Sequence, residues 1–167
     1  PYLVYLKMIY HLSQDAREGG TAFRLPAAFQ DLVLPFQEQA ISMAVDRLHR
    51  HIKEDRPSGV LLGDVVGLGK TLMATAVAKI MADDLGFSTL VICPATLVDM
   101  WKGYLRRFVV PGEVLSLGRV TTDLPKLPRF RLLIIDESHN LRNREGRRYR
   151  VIRDYISENS CRCLLLT

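Results

Sequence analysis

Cysteine is scarce in this chain, tryptophan scarcer still, and long apolar runs are absent. Three cysteines in 167 residues are too few, and odd in number, for a disulfide framework. Cys161 and Cys163 have a single Arg between them. That is not metal-ligand spacing, and no His or second Cys pair accompanies it. Cys93 lies in an apolar run and reads as core. This usage points to a reducing compartment, so a cytoplasmic or nucleoid-associated protein is expected. No apolar run approaches the roughly 18 residues of a membrane span. Tyr2–Leu12 is apolar but short, is interrupted by Lys7 and His11, and lacks the charged start and small-residue cleavage site of a signal peptide. It reads as a packed helix, and no membrane partner is expected. Repeats and low-complexity tracts are missing too. With 48% apolar and 25% charged residues, the chain is neither a disordered tail nor a collagen-like fibre. Its length fits one domain, or one domain with a short appendage.

The charge is uneven. The net +5 comes from 23 basic and 18 acidic residues. Residues 141–167 hold seven Arg against three acids, Glu145, Asp154 and Glu158, which accounts for most of the excess. Arg outnumbers Lys 17 to 6, and the planar guanidinium suits phosphate recognition. Nucleic acid is therefore a reasonable partner class, although a mild basic excess is weak evidence alone. The run Arg142, Arg144, Arg147, Arg148, Arg150 and Arg153 is most simply a solvated helix face, with a DNA or partner surface as the alternative. His11, His49 and His51 show no ligand spacing.

Residues 1–34 read as an N-terminal helical appendage. A helical stretch Tyr2–Gln14 is stopped by Gly19-Gly20, and a loop punctuated by Pro26 and Pro35 follows. From 35 to 167 the pattern is regular. Glu38–Lys53 places Ile41, Ala44, Val45, Leu48 and Ile52 on one helical face. Val60–Leu62 is an apolar run too short for a helix. A glycine-rich turn and a second helix come next, with Gly86 at the C-terminal stop position. Thr89–Cys93 reads as a strand ended by Pro94, Leu97–Phe108 as a helix, and Glu113–Leu117 as a weaker strand. Arg131–Ile135 is a strand, Gly146–Ser157 a helix and Cys163–Leu166 a last strand. Apolar runs alternating with helices imply a parallel sheet covered on both faces. The opening Pro1 and a last strand at the end of the chain are what a piece of a longer protein is expected to show.

Two motifs carry chemistry. Val60–Leu62 runs into Gly63-Asp64-Val65-Val66-Gly67-Leu68-Gly69-Lys70-Thr71 and then a helix. In such a strand–turn–helix the glycines let backbone N–H groups curl round an anion, and the helix N-terminus adds partial positive charge. Lys70 reaches the β- and γ-phosphates, and the Thr71 hydroxyl can ligate Mg²⁺. The common pattern has Gly where this chain has Asp64; the bland alternative is a glycine-rich turn that caps a helix. The second motif is Asp136-Glu137-Ser138-His139, at the tip of the apolar run Leu132–Ile135. Carboxylates there lie in the crevice where α/β sheets bind ligands. Asp136 is placed to hold Mg²⁺ through water, and Glu137 to polarise an attacking water. Alone, the pair could be an acidic surface turn. Following a phosphate loop, it makes ATP hydrolysis the leading reading.

With these motifs in place, the sequence resembles the Swi/Snf-type ATPases of helicase superfamily two, motors that translocate on duplex DNA. Asp64 to Thr71 looks like that family's first motif, which also begins with Asp. Leu34-Pro35-Phe36-Gln37-Glu38-Gln39-Ala40 is similar to its adenine-recognising segment, with Gln37 as the base-reading residue. Val91 to Trp101 resembles a strand, Pro turn and Trp-bearing helix beside the DNA. Asp136 to His139 corresponds to the Asp-Glu-x-His box, with Ser138 where Ala or Gly is usual, and Asn140–Asn143 to its tail. Leu164–Thr167 looks like the start of the motif that couples hydrolysis to DNA contacts. The span from Trp101 to Asp136 is short for the family; Val114–Gly118 stands where its Thr-Thr-Tyr strand is expected.

The resemblance implies the first RecA-like lobe of a Mg²⁺-dependent ATPase acting on duplex DNA. The second RecA-like lobe, expected to supply arginine fingers, is missing from this chain, so the chain alone should be nearly inactive. Implied catalytic residues are Glu137, Asp136 and Lys70. Implied nucleotide contacts are Gln37, Asp64, Gly67, Leu68, Gly69, Lys70, Thr71 and His139, the last sensing the γ-phosphate. Thr71 and Asp136 would hold Mg²⁺. Two other functions stay open, an RNA helicase lobe of the same superfamily and a regulatory lobe that binds nucleotide without turnover. Trp101 reads as a core anchor of its helix rather than a base-stacking platform.

Overall fold

The computed structural model describes residues 23–49, 58–63, 69–141, 143 and 145–167. The expected helix Tyr2–Gln14, the loop residues Asp64, Gly67 and Leu68, and Arg142 and Arg144 lie outside the described residues.

The described elements run α1 (Pro35–His49), β1 (Ser58–Leu62), α2 (Lys70–Leu85), β2 (Thr89–Cys93), α3 (Val98–Arg107), β3 (Gly112–Ser116), α4 (Val120–Asp123), β4 (Leu132–Ile135), α5 (Arg147–Asn159) and β5 (Arg162–Leu166). All five strands pair in parallel, in the order β1-β5-β4-β2-β3. The sheet is the one implied by strands that read as apolar runs. β2 and β4 are buried at every position, because helices cover both of their faces.

Two apolar layers flank the sheet. One face packs α1, α2 and α3 through Ile41, Val45, Leu48, Met73, Val77, Met81, Trp101 and Leu105. The other packs α4, the turn after it and α5 through Val120, Leu124, Ile152 and Tyr155. The side chains of Val91 and Ile134 face the first layer, and those of Leu90, Ile92, Leu133 and Ile135 the second. This is the period-two alternation of strands buried on both sides.

Local chemistry sets the ends. Pro35 occupies the first position of α1, where its missing N–H costs nothing. Gly86 ends α2 at φ 66°, its N–H donating to the Ala82 carbonyl at 2.9 Å while the Phe87 N–H donates to Met81. That left-handed stop is the one expected of glycine at this position. The four-residue α4 and its flanking 3₁₀ turns are absent from the sequence reading. Ahead of residue 35, Leu25 and Phe29 belong to the first core layer, and Phe29 stacks on Phe108 with ring centroids 4.2 Å apart.

One buried charge was not foreseen. Arg162, at the start of β5, is fully buried. Its Nε donates to the Leu48 carbonyl in the last turn of α1 at 3.2 Å, and its Nη1 to the Ser160 carbonyl at 3.0 Å. A guanidinium at a helix C-terminus meets the negative end of the helix dipole, so Arg162 ties α1 to β5, an interior strand of the sheet.

Candidate functional site

β1 and β4 point the same way, and β5 lies between them. Leu62 pairs with Leu166, and Ile135 with Leu165. The chain therefore leaves β1 toward the phosphate loop, and leaves β4 toward the acidic pair, at the same sheet edge. One intervening strand separates the two exits by about 10 Å, given a strand spacing of about 4.8 Å.

On the loop side, Gly69 takes φ 78° and is the residue before α2. This left-handed turn favours glycine. Lys70 and Thr71 open the helix. Its first turn carries no acidic residue and its N-cap is a glycine without a side-chain cap bond, and a helix N-terminus favours negative charge. Within that turn Met73 N–H donates to Gly69 at 3.0 Å, and the Thr75 hydroxyl donates to the Thr71 carbonyl at 2.7 Å.

Gln37 is buried, 6% exposed, and reaches this turn from α1. Its Oε1 accepts the Leu34 N–H at 2.8 Å, the reach-back of a helix capping box from the third helical position. Its Nε2 faces Gly69, where a Cβ would come within 2.7 Å of it. One side chain thus caps the start of α1 and lies against the residue that precedes α2.

On the acidic side, Asp136 continues the ladder beyond β4, its N–H donating to the Ile92 carbonyl at 2.8 Å. The residue is buried, 9% exposed. Oδ1 accepts the Glu137 N–H at 2.9 Å, and Oδ2 accepts the Trp101 Nε1–H at 2.8 Å. Glu137 turns the chain at φ 51°, a left-handed conformation that costs a non-glycine residue about 1–2 kcal/mol. Its carbonyl accepts from both the backbone N–H and the Nδ2 of Asn140, each at 3.0 Å. Its carboxylate Oε2 lies 3.2 Å from His139 Nδ1, and both side chains are nearly half exposed. Cys93, at the tip of β2, is buried beside this group. Burial pushes its thiol up to about 12, and the Asp136 charge adds to the effect.

The expected residues thus fall into two groups, Gln37-Gly69-Lys70-Thr71 and Asp136-Glu137-His139, at one edge of the sheet. Trp101 is fully buried, as the core reading has it. Its bond to Asp136 was missed, because 35 residues of intervening chain give no local signal. The arginines Arg147, Arg148, Arg150 and Arg153 on α5 are exposed, and Arg153 pairs with its neighbour Asp154 at 2.7 Å. Among the described residues, no helix is long and apolar enough to cross a membrane.

Comparison with known proteins bears on the family and the fold. A homologue of SWI/SNF-related matrix-associated actin-dependent regulator of chromatin subfamily A-like protein 1 from Caenorhabditis elegans is 28% identical over 89% of this chain. The DNA annealing helicase and endonuclease ZRANB3 of Mus musculus is 27% identical over 86%. The ATP-dependent helicase YqhH of Bacillus subtilis (strain 168), itself uncharacterised, is 29% identical over 80%. The chain spans only 25%, 15% and 26% of these proteins. Among solved structures, the Sulfolobus solfataricus SWI2/SNF2 ATPase core in complex with dsDNA superimposes with a TM-score of 0.72. The match is 20% identical and covers 87% of this chain and 34% of that one. The fold is thus the RecA-like α/β fold of that core. The sequence pattern described as the SNF2-related domain matches residues 6–117, and the chain belongs to that Swi/Snf family of superfamily-two helicases.

Proposed function

We propose that this chain is the ATP-binding lobe of a DNA translocase, in which Mg²⁺-dependent ATP hydrolysis is coupled to movement on duplex DNA. The observation that carries the reading is the shared sheet edge. A lysine-bearing helix N-terminus and a carboxylate pair follow strands that end on the same side of the sheet with one strand between them, the side on which α/β sheets bind ligands.

The roles follow from the chemistry of each group. Lys70 and the leading N–H groups of α2 bind the β- and γ-phosphates, within the cradle of Asp64, Gly67, Leu68 and Gly69. Gln37 is assigned to the adenine edge by its place in the segment that resembles the family's adenine-recognising motif. The Thr71 hydroxyl and the Asp136 carboxylate are hard oxygen ligands of the kind Mg²⁺ prefers. When bound, the ion would neutralise charge on the phosphates. Glu137 accepts a proton from the attacking water, and His139, beside it, responds to the γ-phosphate.

Duplex DNA as the partner is supported by the Sulfolobus solfataricus core, described in complex with dsDNA, and by relatives named as DNA-acting helicases. The deciding experiment on the nucleotide site is isothermal titration with Mg·ATP. Lys70→Ala removes a charge-assisted phosphate bond worth about 1.5–3 kcal/mol, so binding should weaken about ten- to a hundredfold. Equal affinity for both proteins would overturn the assignment.

A further inference from the structure

Trp101 is the chain's one tryptophan and is fully buried. A phenylalanine would supply apolar area there without an N–H to satisfy. A buried indole needs an acceptor, and here it has a carboxylate, Asp136 Oδ2, at 2.8 Å. The other oxygen is held at 2.9 Å by the Glu137 backbone N–H. Both oxygens of Asp136 are therefore oriented, one by the adjacent peptide and one by a side chain from α3.

The donor is itself held firmly. An aromatic row runs along α3 from Trp101 to Tyr104, with centroids 6.4 Å apart, and on to Phe108 at 6.2 Å. Phe108 stacks on Phe29. A hydrogen bond to an ionised acceptor is about twice as strong as a neutral one. It also restricts the carboxylate to one rotamer. Partners of this kind, one layer behind a metal ligand, typically change metal affinity by 10- to 100-fold.

We infer that Trp101 is a positioning residue: its indole N–H fixes the Asp136 carboxylate for Mg²⁺, so that α3 takes part in building the metal side of the nucleotide site. This rests on the nucleotide reading above.

Because Trp101 stands alone, the test can be made by replacing tryptophan throughout the 167-residue chain. Growth on β-(3-benzothienyl)alanine exchanges the indole N–H for sulfur with nearly the same shape. 5-Fluorotryptophan, which keeps the N–H, is the matched control, and Trp101→Phe is a second variant. Binding of a directly excited fluorescent ATP analogue is titrated with Mg²⁺, and measured again in EDTA. The inference expects the Mg²⁺ midpoint of the benzothienyl protein to rise about 10- to 100-fold, with binding in EDTA unchanged. The fluorinated control should behave as the native protein. If the benzothienyl midpoint matches the native one, or if binding in EDTA falls equally, Trp101 is only a core anchor and the inference is overturned. If the native protein binds the analogue neither with nor without Mg²⁺, the nucleotide reading fails and takes this inference with it.

Discussion

Gln37 and Gly69 meet at the foot of the phosphate loop, so closely that a Cβ on Gly69 would lie 2.7 Å from Gln37 Nε2. Gly69 is also left-handed at φ 78°. Two independent constraints therefore demand glycine here, one from the backbone and one from the neighbouring amide. Gly69→Ala should cost about 1–2 kcal/mol from the backbone alone, and thermal unfolding should show a melting temperature several degrees lower. It should also displace the Gln37 amide. Titrating ATP and GTP against the variant should show a smaller preference for ATP, matching the loss in Gln37→Ala. An unchanged preference in both variants would remove Gln37 from base recognition.

Glu137 carries its own strain. At φ 51° it occupies backbone space that glycine adopts freely. Glu137→Gly should therefore leave the melting temperature unchanged or raise it slightly, while abolishing turnover. Glu137→Gln keeps the strain and should melt like the native protein. Both should keep Mg·ATP binding and lose about 10²-fold or more in phosphate release with duplex DNA present, the scale of a lost general base. The assay belongs in the complete motor. Near-native turnover in the glutamine variant would mean that another group orients the water.

How far the sequence reaches is visible in these residues. β2 and α2 were legible because apolar runs and 3.6-residue periodicity end on Pro94 and Gly86, and those stops are local chemistry. The two motifs were legible because each sits on consecutive residues at a strand tip. Strand order was not: β5 is last in sequence yet inserts between β1 and β4, a non-local choice that leaves no pattern in β5 itself. Four residues of α4 carry too little periodicity to read. The bond from Trp101 to Asp136, the contact of Gln37 with Gly69 and the burial of Arg162 are tertiary facts. They join positions that only the closed sheet brings together.

The cysteines should be chemically silent in the folded protein. Cys93, Cys161 and Cys163 are all buried free thiols. Burial raises Cys93 and Cys163 to about 12 and Cys161 to about 11, so the reactive thiolate is suppressed at neutral pH. A thiol reagent at pH 8 should label none of them natively and all three after unfolding. The folded state favours the neutral thiol, so this contribution is fully present below the ordinary value of 9.0. It is lost as pH rises from there through about 12. Chemical denaturation at stepped pH should show stability falling above pH 9, and less steeply in Cys93→Ala than in the native chain.

Turnover by the 167 residues alone should be close to background. Phosphoryl transfer needs positive charge on the side of the γ-phosphate that faces away from the phosphate loop, and arginine fingers there are worth about 10³–10⁵ in rate. The arginines of α5 do not qualify. Arg147, Arg148 and Arg150 are exposed, while Ile152 and Tyr155 of the same helix are buried in the core layer that α5 covers. Arg153 is paired with Asp154. The family resemblance implies that the fingers come from a second RecA-like lobe, and this chain covers 34% of the Sulfolobus solfataricus core. Phosphate release with saturating duplex DNA should therefore be compared between these residues alone and a polypeptide that carries both lobes. The expected gap is about 10³-fold or more, with Mg·ATP binding retained by both. Duplex binding by the two-lobe protein should also weaken steeply with salt, as counterion release requires. Equal turnover by the single lobe would show that this chain builds a complete catalytic site by itself, and the two-lobe mechanism would not apply to it.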